Sequence, residues 1–143
     1  HATLVHTMVR VAQEEMDHFV TMTEVVYNRG LQFGKDTKDP YINALIKLGR
    51  WEGDDRLIDR LLLFSIVEGR GCERFNLIAN ALPSGALKSL YEELVRSESQ
   101  HHMVGIQLLK EMFPKEQWER RYDELLEAEG NIVRSLPFRP ALH

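Results

Sequence analysis

Only one of the 143 residues, Cys72, is a cysteine. That excludes an intrachain disulfide and a thiolate cage for structural zinc, so any metal must be held through oxygen and nitrogen. Positive charge is not in excess either: 18 Lys and Arg stand against 22 Asp and Glu, a net charge of -4. Broad, sequence-blind binding of nucleic acid needs a strongly basic surface, which argues against that class and leaves room only for a local basic patch. There is no run of about 18 or more uncharged apolar residues. The N-terminus lacks the charged, apolar and small-residue phases of a signal peptide, so a cytoplasmic protein without membrane spans is expected. Low-complexity tracts are missing, and no stretch of useful length alternates polar and apolar residues, which leaves strands without support.

What remains is helical. With 43% hydrophobic and 28% charged residues, the length suits one domain, residues 1–143, with a core of its own. Long helices are expected over residues 3–28, 55–82, 84–112 and 115–130, which makes the fold class all-α. Gly30 closes the first helix, Asp54 or Asp55 can cap the second, Pro83 and Ser84 separate the second from the third, and Pro114 separates the third from the fourth. The last two breaks are short, so the helices they join should pack antiparallel. Residues 30–54 form a long connection with Gly34, the charged segment KDTKDP and a short amphipathic helix over Tyr41 to Leu48. In a helical bundle such a connection is a crossover or a cover for a site. The tail, residues 136–143, carries Pro137 and Pro140 and is expected to be extended.

Three of the helices carry an anomaly. Stepping by four and three residues from Leu4 gives Met8, Val11, Glu15, His18, Met22 and Val25, a coiled-coil-like seam with two polar members. The same steps from Leu57 give Leu61, Phe64, Glu68, Gly71, Phe75, Ile78 and Leu82. From Leu87 they give Tyr91, Leu94, Glu98, His101, Gly105, Leu108 and Met112. Each seam therefore has a glutamate at mid-helix where an apolar residue belongs. An ionised carboxylate on a core stripe costs several kcal/mol unless it is paired or bound to a cation. Residues i and i+3 lie side by side on a helix, so Glu15 with His18, and Glu98 with His101, each aim an oxygen and an imidazole nitrogen the same way.

One Glu-x-x-His is common on solvated helix faces; two copies in register with apolar seams, plus a third seam glutamate, point to metal. The competing explanation is a buried salt-bridge network through Arg70, Arg74 or Arg96, but those arginines lie off the seams. Di-iron and di-manganese ferritin-like bundles use one Glu from each of two helices and Glu-x-x-His from each of the other two. Glu15, His18, Glu68, Glu98 and His101 are five of those six ligands, shared between two ions bridged by carboxylates, and such oxygen-rich sites suit iron or manganese. Glu14, Glu73 and His102 sit beside the motifs but off the seams, as surface or supporting groups. Gly69 and Gly71 read either as close-packing residues or as space for dioxygen or substrate. Cys72 reads as core, and Trp51 and Trp118 as packing anchors.

The segments VRVAQEEMDHF (Val9 to Phe19), VEGRGCERF (Val67 to Phe75) and SESQHH (Ser97 to His102) resemble the MiaE family, the tRNA 2-methylthio-N6-isopentenyladenosine hydroxylases. The likeness spans most of the chain, and the CERF segment sets it apart from ferritin-like proteins in general. It implies a ferritin-like antiparallel four-helix bundle with an additional C-terminal helix. It makes Glu15, His18, Glu68, Glu98 and His101 ligands of a di-iron centre in a non-haem monooxygenase. That enzyme would hydroxylate the isopentenyl group of a modified adenosine next to the tRNA anticodon, with dioxygen as co-substrate and an external electron donor. Family members carry a helix before the first Glu-x-x-His helix, which donates a sixth ligand. Here His1 directly precedes the second bundle helix, so the resemblance implies a carboxylate upstream, with Glu129 as a weaker substitute.

Two other readings compete. A ferroxidase or iron-handling protein keeps the metal and drops the RNA, but needs a cage or an iron route, whereas a monomer or dimer suits the hydroxylase. A metal-free interaction module would make the seam carboxylates structural. Candidate phosphate contacts for tRNA are Lys35, Lys38, Lys47 and Arg50 in the connection and Arg120, Arg121, Arg134 and Arg139 near the C-terminus.

Overall fold

The four-three spacing of apolar residues becomes α-helix over most of the stretches where the sequence leads one to expect it, but residues 115–117 of the expected fourth helix form a 3-10 turn and α-helix starts at Glu119. In the computed structural model the described residues are 2–35, 37–53 and 55–137, and their regular structure is entirely helical. The elements are α1 (Ala2–Tyr27), α2 (Pro40–Ile46), α3 (Arg56–Ala81), α4 (Ala86–Met112), a 3-10 turn (Lys115–Gln117) and α5 (Glu119–Ser135). None of these helices is long and apolar enough to cross a membrane. They belong to two compact units, His1–Lys38 and Asp39–His143.

The first unit is α1 and the segment after it. Gly30 ends the helix in a left-handed conformation, φ 70°, with its N–H donating to the Tyr27 carbonyl at 2.9 Å. A glycine takes this conformation without the penalty a Cβ would bring. The chain then turns back, stacking Phe33 on Phe19 with 6.1 Å between ring centroids and meeting Tyr27 edge-on at 5.9 Å.

The second unit is organised by α3 and α4. Only residues 82–85 join them, so two helices of this length can pack along each other only in opposite directions. The contacts confirm that sense. Leu61 lies against Gly105, Ser65 against His102, Cys72 against Val95 and Phe75 against Tyr91, one number rising as the other falls. The tightest point is Gly105, where an added Cβ would stand 2.1 Å from Ser65 Oγ and 3.1 Å from the Leu61 carbonyl oxygen, so only glycine fits without displacement. On α4 the seam is buried as its spacing predicts, through Leu94, Glu98, His101, Gly105 and Leu108.

The rest of this unit packs through α5, which meets both α2 and α3. Asp39 caps α2, its Oδ1 accepting from the N–H groups of Tyr41 at 2.7 Å and Ile42 at 3.1 Å, with Pro40 in the first helical position, the arrangement a helix start favours. Tyr41 and Leu45 of α2 are buried, as are Trp118 and Leu125 at the start and middle of α5. Two further boundaries differ from expectation. Asp55 is the N-cap of α3 but makes no side-chain cap bond; its carboxylate pairs with Arg50 instead. The alternative cap, Asp54, lies outside the described residues, as do residues 138–143 of the tail. α5 also runs through Gly130 to Ser135. A glycine inside a helix costs about 1 kcal/mol relative to alanine, yet the helix continues past it, next to Glu129 and its ion pair with Arg70.

Candidate metal centre

On facing sides of α3 and α4 the seam glutamates and one histidine converge. Glu68, Glu98 and His101 can each offer one ligand atom such that these atoms lie within 4.8 Å of one another. Glu98 is 6% exposed and His101 1%, while Glu68 Oε2 lies 3.9 Å from His101 Nδ1. Helical periodicity on two antiparallel helices produces this: Glu98 and His101 share a face of α4 because they are one turn apart, and the register sets Glu68 opposite them. Gly71 faces the cluster, since a Cβ there would meet Glu98 Oε2 at 3.7 Å, ordinary contact that leaves the carboxylate in place.

The surroundings are fitted to this set. Gly69 makes room for His102, whose Nδ1 would be 3.0 Å from an added Cβ. That nitrogen is 2.7 Å from the Ser65 carbonyl oxygen, which can only accept, so Nδ1 carries the proton. His102 thus ties α4 to α3 one turn from the cluster and points away from it, the supporting role its off-seam position predicts. Cys72 donates to the Val95 carbonyl at 3.5 Å. Burial, with the charges of Glu98 and Glu73, raises its thiol above the ordinary range.

In the first unit, Glu15 and His18 lie on one face of α1, with Glu15 Oε2 3.6 Å from His18 Nδ1. Carboxylates and imidazoles are the donors that iron and manganese accept, and two buried or nearly buried carboxylates converging on an imidazole within the second unit fit a cation better than they fit one another.

The structure assigns other polar residues to packing. Glu129, the candidate substitute ligand, is 2% exposed and already saturated. Its two oxygens accept from Arg70 Nε and Nη2, each at 2.7 Å, and Oε1 also accepts from the Tyr41 hydroxyl at 3.0 Å. Burial first, and then the Glu129 charge, raise the Tyr41 hydroxyl well above its usual value, so it remains a donor. Arg70 also pairs with Glu73, and Arg74 covers the Tyr41 ring at 5.3 Å. The salt-bridge network that competes with metal in the sequence is therefore real, but it lies on the α2/α5 side of α3.

Asp59 is the residue the seam count misses. It is fully buried and accepts from the Arg50 backbone N–H at 2.8 Å, Arg50 Nη2 at 2.6 Å and Arg121 Nη2 at 2.9 Å. Burial alone would raise its carboxyl, but the Arg50 and Arg121 hydrogen bonds more than reverse that and hold it at about 2. The signal was available: Asp59 stands among Ile58, Leu61, Leu62, Leu63 and Ile66, an apolar face wider than the seam alone, which leaves Arg56 and Arg60 exposed. Arg50 and Arg121, two of the expected phosphate contacts, are thus turned toward Asp59, with Arg121 also donating to the Leu48 carbonyl at 2.6 Å. Arg120 remains exposed, and Arg139 lies outside the described residues.

Comparison with known proteins agrees with this geometry. The family model described as tRNA-(MS[2]IO[6]A)-hydroxylase (MiaE) matches residues 1–143. A tRNA 2-(methylsulfanyl)-N(6)-isopentenyladenosine(37) hydroxylase of Salmonella typhimurium is 32% identical over 109 residues, 76% of this chain and 40% of that protein. The Pseudomonas putida protein of the same description is 29% identical over 108 residues, 76% of this chain and 52% of that one. The chain thus spans about half the length, or less, of these relatives. A solved structure, protein 43 with aldehyde deformylating oxygenase activity from Synechococcus, superposes with a TM-score of 0.83 at 28% identity, over 90% of this chain and 64% of that one. That likeness supports the ferritin-like, all-α fold class expected from the sequence. By the match along its whole length, the chain belongs to the MiaE family.

Proposed function

We propose that this chain is the metal-binding part of a tRNA-modifying hydroxylase, acting on the isopentenyl group of 2-methylthio-N6-isopentenyladenosine next to the anticodon. The observation that carries the reading is the convergence of Glu68, Glu98 and His101, within 4.8 Å, in a chain of this family. Glu15 and His18 of α1 complete the set, with residues 1–143 working as one domain and Glu68, Glu98, His101, Glu15 and His18 holding two iron ions. When bound, reduced iron supplies the electrons that let dioxygen attack an unactivated C–H bond, chemistry beyond acid and base groups at neutral pH. An external donor restores those electrons, and a tRNA substrate sets the work in the cytoplasm.

The protein's own residues have defined tasks. Glu98 and His101, one turn apart on α4, hold their donor atoms in fixed relation because both are buried and cannot swing into solvent. Glu68 answers them from α3. His102, bonded to Ser65, locks the spacing of the two helices on which those ligands stand. Nucleoside analysis of tRNA tests the reading. Cells lacking the gene, with no second hydroxylase, should accumulate the isopentenylated nucleoside and lose its hydroxylated form, and full retention of the hydroxylated form would defeat the proposal.

A further inference from the structure

A cavity of about 280 Å³ lies between α2 and α3 and reaches the candidate metal centre. Its α3 wall runs from Arg60 through Leu63 and Val67 to Glu68, residues that share one face because they recur at helical spacing. The opposite wall is aliphatic, from Ile42 and Ile46 of α2. Among the described residues Glu68 is the only acidic one lining it, and it is also a member of the converging cluster. One end of the cavity is therefore a carboxylate of the proposed centre, and the lining between it and Arg60 is hydrocarbon. Trp51 and Arg60 border the outer end. The indole N–H donates to the Ile46 carbonyl at 2.9 Å and the Arg60 guanidinium sits 5.7 Å from the ring centroid. Gly49 permits the close seat of this indole, since a Cβ there would come within 2.6 Å of it.

We propose that this cavity binds an uncharged, branched alkyl substituent carried by a purine nucleoside and directs its far end to Glu68, while Trp51 and Arg60 border the base that bears it. The inference rests on the hydroxylase reading and adds to it the specificity pocket. At roughly 30 Å³ of liquid volume per water-sized group, the space accommodates five carbons and part of what carries them. Burial of each carbon is worth about a four-fold gain in affinity. A hydroxylated or charged chain would leave its polar atoms facing Ile42, Leu63 and Val67 without partners, so the pocket selects the unmodified alkyl group.

The test is calorimetric titration of the iron-loaded protein, without oxygen, with N6-isopentenyladenosine and with adenosine. The prenylated nucleoside should bind at least about ten-fold more tightly, and Val67→Trp should abolish the difference while leaving iron content unchanged. Equal affinities in the unaltered protein, or an undiminished preference in Val67→Trp, overturn the assignment. If Val67→Trp does not fold, Ile46→Trp at the exposed rim, a position 48% exposed, is held to the same standard. Hydroxylation of tRNA that Val67→Trp leaves untouched sinks the pocket and spares the reaction. A prenyl preference lost in the variant, in a protein that never hydroxylates tRNA, sinks the reaction and spares the pocket.

Discussion

Replacing Asp59 by Asn keeps the shape of a buried side chain and removes the charge that both Arg50 and Arg121 contact. The structure gives the size of the effect. The carboxyl is held at about 2 instead of 3.8, and at about 1.4 kcal/mol per pH unit this is about 2 kcal/mol favouring the folded state. Removing one partner of a fully buried pair costs about 3–5 kcal/mol, but the two arginine side chains are 39% and 23% exposed and recover water, which puts the expectation near the lower figure. Melting at pH 7 should then fall by about 8 °C. The pH dependence is the sharper part. A depressed carboxyl stabilises fully above its unfolded value of 3.8 and loses that contribution as pH falls through about 2. The gap between the two proteins, followed by circular dichroism, should be constant above about pH 5 and close toward pH 2. An Asn variant that melts with the unaltered protein at pH 7, or a gap that does not narrow in acid, would refute the reasoning. The consequence for the site is direct, because Asp59 fixes Arg50, the neighbour of Trp51 at the cavity mouth.

Other substitutions probe the remaining elements. Glu98→Ala should eliminate tight iron binding, measured as metal per chain, while leaving the helical spectrum intact. Gly105→Ala should cost about 1–3 kcal/mol by overpacking, because its methyl would collide with Ser65 Oγ; adding Ser65→Ala should restore part of the loss in denaturant titrations. Ser65 Oγ is buried and has no hydrogen-bond partner among the described residues, so Ser65→Ala alone should be close to neutral. Glu129→Ala should destabilise by about 3 kcal/mol, since it leaves the buried Tyr41 hydroxyl without its acceptor and Arg70 with Glu73 as its remaining partner, and iron content should not change.

The long helices and their short breaks were legible because apolar spacing and Pro or Gly punctuation are local signals. The proposed ligands Glu68, Glu98 and His101 were legible for a related reason: a carboxylate on an apolar seam violates the pattern and calls for a partner. Asp59 and Glu129 carry the same energetic penalty, yet they lie off the counted seams, and the partners that satisfy them, Arg50, Arg121, Arg70 and Tyr41, come from outside the helix that carries the acid. Nothing local to Arg121 distinguishes it from the exposed Arg120 beside it. The extension of α5 past Gly130 was equally hidden, since tertiary pairing at Glu129 decides it over the glycine's own preference. The cavity between α2 and α3 needs the packing of a short connection helix, which no spacing rule supplies.

The most direct test of the account supplies isotopically labelled dioxygen, ferrous iron and a reductant to the protein with tRNA bearing the isopentenylated nucleoside, and reads the nucleoside by mass spectrometry. One labelled oxygen atom on the isopentenyl group, absent when Glu98→Ala replaces the unaltered protein, is the result predicted. An iron-loaded protein that leaves the nucleoside unchanged, or one that installs unlabelled oxygen from water, would contradict it.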